Sequence, residues 1–158
     1  MRQTGFTLIE LVVTFAVLAI VLTIAIPNFS SLQAGSRLTA QVNDLVSMLS
    51  YARVEALKRG SSVTVCKSSD GANCATSGNW EQGWIVVNNG AVLKRRMALA
   101  TGYTVTGSTS IASSVTFTST GAPQQNGTFS FCSGAVGKSV ALSGTGRLSV
   151  SDTGASCS

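Results

Sequence analysis

The side chains that could carry out chemistry are few in this sequence of 158 residues. It contains no histidine, which excludes Ser-His-Asp and Cys-His catalysis and histidine-ligated zinc. Its acidic residues are scattered along the chain, so they form neither a catalytic carboxylate pair nor a calcium cage. Its Gly-x-Gly pieces lack the helix and the Lys-Ser/Thr end of a phosphate loop. We therefore expect no enzymatic activity, no metal ion and no cofactor.

Four cysteines, Cys66, Cys74, Cys132 and Cys157, all follow the apolar amino-terminal run. An even number of cysteines in an exported domain indicates disulfides. Of the three pairings that four cysteines allow, the sequence separations favour Cys66 with Cys74 and Cys132 with Cys157. The alternative is a zinc ion bound by all four thiolates, although the sequence has no CxxC pair.

The basic residues give a formal net charge of +5, which permits an anionic partner such as nucleic acid or lipid without requiring one. Lys94, Arg95 and Arg96 form the only run of three cations. On a strand, Lys94 and Arg96 share one face and Arg95 takes the other. One interpretation is a solvated edge strand that resists unwanted pairing. The other is DNA binding, to which Lys138 and Arg147 would contribute.

The chain begins with a short basic head and an apolar run at residues 6–26. As a helix, these 21 residues cover roughly 30 Å, the thickness of the hydrocarbon core of a bilayer. Glu10 interrupts the run, and a carboxylate inside a membrane costs about 2.5 to 3.5 kcal/mol on insertion scales. A partner cation is therefore expected, and the nearest candidate is the amine created by cutting the chain just before Phe6.

The sequence GFTLIEL, from Gly5 to Leu11, with Arg2 before it, resembles the processing signature of type IV pilins and type II secretion pseudopilins. The resemblance implies cleavage after Gly5 and N-methylation of Phe6 by a prepilin peptidase, followed by assembly with other major and minor pilins. Carried over by position, Glu10 would neutralise the Phe6 amine of a neighbouring subunit. The alternative is a secretory signal peptide or a plain membrane anchor, which would normally lack the acid.

Pro27 follows the apolar run inside what otherwise continues as a helix. Proline removes a backbone hydrogen bond and clashes with the preceding turn, so a kink or a locally weakened helix is expected. The alternative, that Pro27 marks the end of a transmembrane helix, is disfavoured by the resemblance to pilins. In that family the helix can loosen at this position when it packs in a filament.

The segment 27–60 continues as an amphipathic helix. Apolar residues spaced three and four apart predict one buried face, made of Leu38, Val42, Leu45, Leu49, Ala52 and Ala56. Lys58 and Arg59 suit the negative end of the helix dipole and Gly60 suits the next position, so the helix should end at about Arg59. Arg53 and Glu55 lie off the buried face and are expected to be solvated.

Residues 61–158 change to short runs of Val, Thr, Ile and Phe separated by Gly, Ser and Asn, which predict strands. Asn89 and Gly90 predict a two-residue hairpin turn, and Gly144 to Gly146 a second hairpin. The predicted strands are Ser62 to Cys66, Gly83 to Asn88, Ala91 to Arg95, Tyr103 to Thr106, Val115 to Thr118, Thr128 to Cys132, Ser139 to Leu142 and Arg147 to Val150. One long helix packed on an antiparallel β-sheet head is an α+β arrangement, and the resemblance identifies it with the type IV pilin fold.

The head itself adds a second resemblance. The segment YARVEALKRGSSVTVCKSS and the run from Trp80 to Trp84 look like the H-type pseudopilin and FimT/FimU-type minor pilin branch of the superfamily. We expect Trp80 and Trp84 to be core aromatics and not a base or sugar platform. The branch implies a minor subunit that helps to prime filament assembly, with an H-type pseudopilin of a type II secretion system as an alternative.

A further alternative within this branch is DNA uptake. Some FimT-type minor pilins bind DNA through arginines in a GRxRxC-like hairpin, and Arg147 matches the first of these arginines. Ser149 stands where the second would be, and each lost phosphate contact weakens the salt-dependent part of DNA affinity.

The resulting organisation has four parts. These are a leader peptide at residues 1–5, a transmembrane or filament-core helix at 6–26, the amphipathic half of the stem at 27–60, and a head at 61–158 with two disulfides. The expected location is the inner membrane, with the head in the periplasm, before assembly, and the pilus afterwards.

Overall fold

The computed structural model describes residues 7–152 and residue 157, and within 22–34 it describes the helical backbone only. The chain divides into two compact units, Met1–Ser36 and Arg37–Ser158. Helix α1 (Leu8–Arg59) begins in the first unit and ends in the second. It continues through Pro27, so the alternative that the helix ends at this proline is wrong, whereas the kink stays a prediction.

The first unit contributes helix and exposed apolar side chains. Every described side chain from 7 to 21 is exposed, among them Leu8 at 81%, Ile9 at 68% and Phe15 at 63%. Among the described residues, no helical segment combines the length and the apolarity that a membrane span requires. The predicted span at 6–26 begins at a residue outside the described part, and the side chains of 22–26 also lie outside it.

The described part of the second unit contains eight strands, and their bounds lie within three residues of the predicted ones. The strands are β1 (Val63–Lys67), β2 (Gly83–Asn88), β3 (Ala91–Met97), β4 (Tyr103–Gly107), β5 (Ser114–Phe117), β6 (Gly127–Ser133), β7 (Val136–Leu142) and β8 (Leu148–Ser151). Short 3-10 turns lie at Trp80–Gln82 and Thr109–Ile111. The predicted α+β class and its long amino-terminal helix are confirmed.

The strands form two four-stranded antiparallel sheets and not one. The first sheet has the order β3-β2-β1-β5, and the second has the order β4-β6-β7-β8. The chain passes between the sheets three times, after β3, after β4 and after β5. At the second of these crossings, the turn at Thr109–Ile111 carries the chain from the second sheet back to the first. Val105 of β4 is paired with Phe131 of β6, whereas Val115 of β5 is paired with Val65 of β1. Ile111, which is fully buried, anchors this crossing.

The predicted apolar face of α1 is the face that is buried. The buried positions share the spacing of three and four and are all 0% exposed: Leu38, Val42, Leu45, Leu49, Ala52 and Ala56. They belong to one core with buried residues of both sheets, including Val65 and Trp84 from the first and Phe129, Phe131 and Val140 from the second. Because burying one large apolar side chain gives about 1.5 to 3 kcal/mol, this shared core is the main stabilising feature of the second unit.

The two tryptophans are core residues, as predicted. Trp80 is 1% exposed and Trp84 is 0% exposed. The Trp80 ring meets the Phe129 ring edge to face, with centroids 5.0 Å apart, and its Nε1 donates to the Ile111 carbonyl at 3.2 Å. Trp80 therefore connects the 3-10 turn before the first sheet's β2 with β6 of the second sheet.

Three predicted turns are present and depend on left-handed backbone. Gly60 follows the end of α1 at φ 61°, and Asn89 and Gly90 form the β2–β3 turn at φ 49° and 79°. In the β7–β8 turn Gly146 has φ 81°, and its N–H donates to the Ser143 carbonyl at 2.9 Å. These are conformations that glycine and asparagine adopt at low cost.

Both disulfides favoured by the sequence separations are present. Cys66 of β1 is bonded to Cys74, and Cys132 of β6 is bonded to Cys157, with Cα atoms 5.5 Å and 5.6 Å apart. The alternative of a zinc ion bound by four thiolates is wrong, because no cysteine is free.

The two disulfides should differ in their effect on stability. The chain-entropy model gives about 2.5 kcal/mol for a bridge with the separation of 8 found at Cys66–Cys74, and about 3.5 kcal/mol for the separation of 25 at Cys132–Cys157. We expect the Cys132→Ala, Cys157→Ala double variant to lose about 1 kcal/mol more of unfolding free energy than the Cys66→Ala, Cys74→Ala variant. Urea denaturation of both variants under oxidising conditions checks this, and the reverse order would contradict it.

Candidate functional site

The amino-terminal candidates lie at the edge of what the structure describes. Gly5 and Phe6 are outside the described residues, and Pro27 is described only as helical backbone. Glu10 is exposed in the first turn of α1, where its backbone N–H donates to Thr7 Oγ1 at 3.3 Å. Its carboxylate has no hydrogen bond or ion pair within the described part of the chain. An acid among exposed apolar side chains is available to a cation from another chain.

Glu55 is buried, so the expectation that it is solvated is wrong. It is 8% exposed, and its carboxylate pairs with Arg59 Nε at 2.7 Å and Lys58 Nζ at 3.3 Å. The hydrogen bond from Arg59 is the largest cause of a lowered pKa of Glu55, and Lys58 lowers it further. This cluster joins the predicted basic end of α1 to an acid one turn earlier.

Lys94 and Arg96 lie on the face of β3 that meets α1. Lys94 Nζ lies 5.4 Å from the ring centroid of Tyr51. Arg96 Nε is paired with Asp44 at 3.0 Å, and its Nη2 donates to Gln41 Oε1 at 2.8 Å. Arg95 faces the other way and is exposed, which agrees with the predicted alternation along the strand. Two of these three cations are thus already engaged by the helix.

Lys138 and Arg147 lie in the second sheet and its hairpin. Lys138 is ion-paired with Asp152, and its side chain is only 16% exposed. Arg147 is exposed, and its side chain makes no hydrogen bond or ion pair among the described residues. Next to it, the backbone carbonyl of Gly146 accepts a hydrogen bond from Arg53 Nη1 at 3.0 Å. Arg53 is half-buried by this contact, so it is not fully solvated as expected.

The candidate DNA-binding residues do not form one surface. The β3 cations contact α1 at Asp44 and Tyr51, whereas the hairpin before β8 contacts it at Arg53. Positions 44 and 51, like 46 and 53, are seven apart and share a side of the helix. The two pairs are offset by two residues, or about 200° around the axis, so they lie on opposite sides of α1. A single stretch of duplex would not contact both groups along one face.

A groove lies along the side of α1 that faces the β7–β8 hairpin. Its volume is about 620 Å³, and it is lined by Val46, Leu49, Ser50, Arg53, Val54, Leu57, Phe117, Gly146, Arg147 and Leu148. Most of the lining is apolar, and both ionisable side chains are arginines. Sequence reasoning missed this groove and the role of Arg53 in it, because the pairing of a helix side with a particular hairpin leaves no signal in spacing or composition.

The loop closed by Cys66–Cys74 is ordered by a carboxylate. Asp70 Oδ1 accepts hydrogen bonds from the backbone N–H groups of Ala72 and Asn73, each at 2.8 Å, and Oδ2 accepts one from Asn73 Nδ2. These bonds, the Asn73 side chain first, hold the pKa of Asp70 well below its usual value. Among the described residues, no group of His, Cys, Asp and Glu is suited to hold a metal ion.

Three features define a pilin-like subunit. They are an exposed apolar start of the helix, an acid in its first turn without a partner among the described residues, and a disulfide-bonded head of two sheets that packs on its second half. The family model for the type II transport protein GspH matches residues 41–146, and the model for the prokaryotic N-terminal methylation motif matches residues 1–26. The chain belongs to the GspH family, and the predicted resemblance to this branch of the pilin superfamily is confirmed.

Solved structures agree on the fold. Two crystal structures of the type IV minor pilin FimU from Pseudomonas aeruginosa (strain PAO1) are similar to this chain. The first, in space group P21, has a TM-score of 0.61 at 22% identity and covers 73% of this chain and 89% of FimU. The second, in space group P65, has a TM-score of 0.55 at 20% identity, with coverages of 75% and 90%. No curated protein sequence matches the chain significantly.

The Asp70 turn predicts a pH dependence of stability. The folded-state pKa lies below the unfolded value of about 3.9, so the carboxylate stabilises the fold above that value and the stabilisation is lost as pH falls below it. We expect the unfolding free energy to decline between about pH 5 and pH 2, and to decline less in Asp70→Asn. Denaturant titrations across this range check it. Asn73→Ala is the matched variant, and identical pH profiles for all three proteins would contradict the assignment.

Proposed function

We propose that the protein is a minor subunit of a type IV pilus, a structural and assembly protein without enzymatic activity. The observation that carries the proposal is the composition of α1. From residue 8 to 21 it presents exposed apolar side chains and the Glu10 carboxylate, which has no partner among the described residues, and its second half is the central element of the head's core. A helix with these two halves suits a subunit whose stem is buried only in a membrane or in a filament.

The proposed mechanism begins with maturation. Prepilin peptidase hydrolyses the peptide bond after Gly5, which frees the amine of Phe6, and then N-methylates that amine. Glu10 becomes the fifth residue of the mature chain, four residues beyond Phe6. In a filament core the Glu10 carboxylate would be without water, and leaving it unpaired costs about 2.5 to 3.5 kcal/mol on the membrane-insertion scale. Pairing Glu10 with the Phe6 amine of a neighbouring subunit removes that cost and sets the axial register. Pro27 allows the stem to adapt as its surroundings change from lipid to protein.

The location follows the same steps. Before assembly the stem anchors the subunit in the inner membrane, with the head in the periplasm, and after assembly the subunit is part of the pilus. The N-terminal methylation motif at residues 1–26 supports this sequence of locations. The two disulfides suit a head that works in an oxidising compartment.

A second candidate function is that of an H-type pseudopilin in a type II secretion system. The match of residues 41–146 to the type II transport protein GspH favours it. Both candidates use the same stem and the same maturation, so they differ only in the machine that the subunit enters. DNA uptake is the weaker alternative, since the candidate cations lie on two sides of α1.

The pairing of Glu10 is tested by substitution. Glu10→Ala should leave cleavage and methylation intact while it reduces incorporation of the subunit into filaments by tenfold or more, because the Phe6 amine of the neighbouring subunit is then buried without a counter-charge, at a cost of about 2.5 kcal/mol. Immunoblots of sheared filaments measure incorporation, and mass analysis should show a mature chain that starts at methylated Phe6. Glu10→Asp, which keeps the charge, is the matched control. Normal incorporation of the Ala variant would sink the proposed pairing.

The two candidate machines are separated by a deletion strain. If the protein is a minor pilin, loss of the gene should reduce surface pili and twitching while extracellular enzyme secretion remains normal. Complementation with the wild-type chain should restore both readouts of pilus function. Lost secretion with normal twitching would instead establish the secretion pseudopilin, and a loss of transformation alone would favour DNA uptake.

A further inference from the structure

The groove between α1 and the β7–β8 hairpin exposes apolar surface that the head does not cover. Val54 and Leu57 are each 51% exposed on the helix side of this groove. Val46, Leu49, Phe117 and Leu148 complete its apolar lining. Covering exposed apolar side chains that border a concave surface removes apolar area from water, which favours the binding of another molecule there.

The charge of the groove is entirely positive. Among the described residues, Arg53 and Arg147 are its only ionisable lining residues, and no carboxylate lines it. Arg53 uses one donor on the Gly146 carbonyl, and Arg147 has no side-chain partner among the described residues. A guanidinium group has five N–H donors, so both arginines retain donors for a ligand. The chemistry that fits the groove is therefore an apolar segment that carries a carboxylate.

In a second copy of this chain, the acidic side chains of the second unit each accept a bond within their own chain, and three of the five are paired with cations. Five of the six acidic side chains already accept bonds within their own chain: Asp44 from Arg96, Glu55 from Lys58 and Arg59, Asp70 from Asn73, Glu81 from the Val105 N–H, and Asp152 from Lys138. The sixth, Glu10, belongs to the stem, where the proposed function commits it to an amine. An acid from a different protein could meet Arg53 and Arg147 without competition from a cation of its own chain, which favours a different protein over a second copy.

We propose that this groove binds a different filament subunit, through an apolar segment that carries Asp or Glu. The inference rests on the proposed function, since it assumes that the chain enters a filament. It makes the contact heterotypic, so the subunit has a defined neighbour on this side of α1 and does not continue a row of its own copies. DNA fits less well, because a phosphate backbone would leave the apolar lining exposed or poorly covered.

Photocrosslinking in cells tests the groove. A photoreactive phenylalanine analogue is placed at Val54 in the full chain, filaments are irradiated and sheared, and crosslinked peptides are identified by mass spectrometry. The expected product joins Val54 to a different subunit, in a segment that contains apolar residues and at least one Asp or Glu. Arg147→Gln should reduce its yield about threefold, the size of a partly exposed ion pair, and Arg147→Lys should restore most of it.

Two control positions separate the outcomes. The same analogue at Leu18, which is 55% exposed in the stem, reports whether the subunit enters a filament. At Val92, which is 39% exposed on β3, the analogue reports contacts on the other side of α1. Products at Leu18 without any at Val54 would overturn the groove and leave the proposed function intact, whereas no product at either position would overturn both. A dimer of this chain, a DNA adduct, a segment without an acid, or a yield indifferent to Arg147 would each overturn the inference.

Discussion

The burial of one face of α1 is the constraint on which the head depends. Six apolar positions between Leu38 and Ala56 are fully buried against two sheets that do not share a strand. Because this face is buried, helical geometry decides which residues lie on each of the two flanks of the helix, since residues two apart in sequence are about 200° apart around the helix axis. Asp44 and Tyr51 meet the cations of β3, and Val46 and Arg53 border the groove. The electrostatics of the head is therefore a consequence of how the helix packs.

The pairing of charges follows from the shortage of acids. With 11 basic and 6 acidic residues, the chain has more cations than its carboxylates can pair. Glu55 is the clearest case of internal charge pairing. It is 8% exposed between Lys58 and Arg59, although it lies in a helix that ends in solvent-exposed residues. An excess of cations disfavours ion pairing between identical heads and favours a partner that supplies acids.

The local structure could be predicted from the sequence, but the pairing of distant elements could not. The end of α1 at Gly60, the turn at Asn89 and Gly90 and the strand bounds depend on propensities that act over a few residues. The division into two sheets depends on whether β5 pairs with β1 or stays beside β4, and the alternation of apolar residues is the same in either case. The burial of Glu55 was missed for a similar reason, because whether this side chain is buried depends on its neighbours along the helix and on tertiary packing together.

The sequence Gly146-Arg147 illustrates how a motif changes its meaning once its surroundings are known. By resemblance it belonged to a DNA-binding hairpin from which a second arginine is missing. In the structure, Gly146 has φ 81°, and a Cβ there would lie 3.1 Å from Arg53 Cζ, so a glycine lets the guanidinium group reach the backbone carbonyl. The second arginine of the groove thus comes from α1 and not from the hairpin. Because Arg53 and Arg147 flank apolar side chains of the helix, the pair is built for an acid on an apolar segment more than for a row of phosphates.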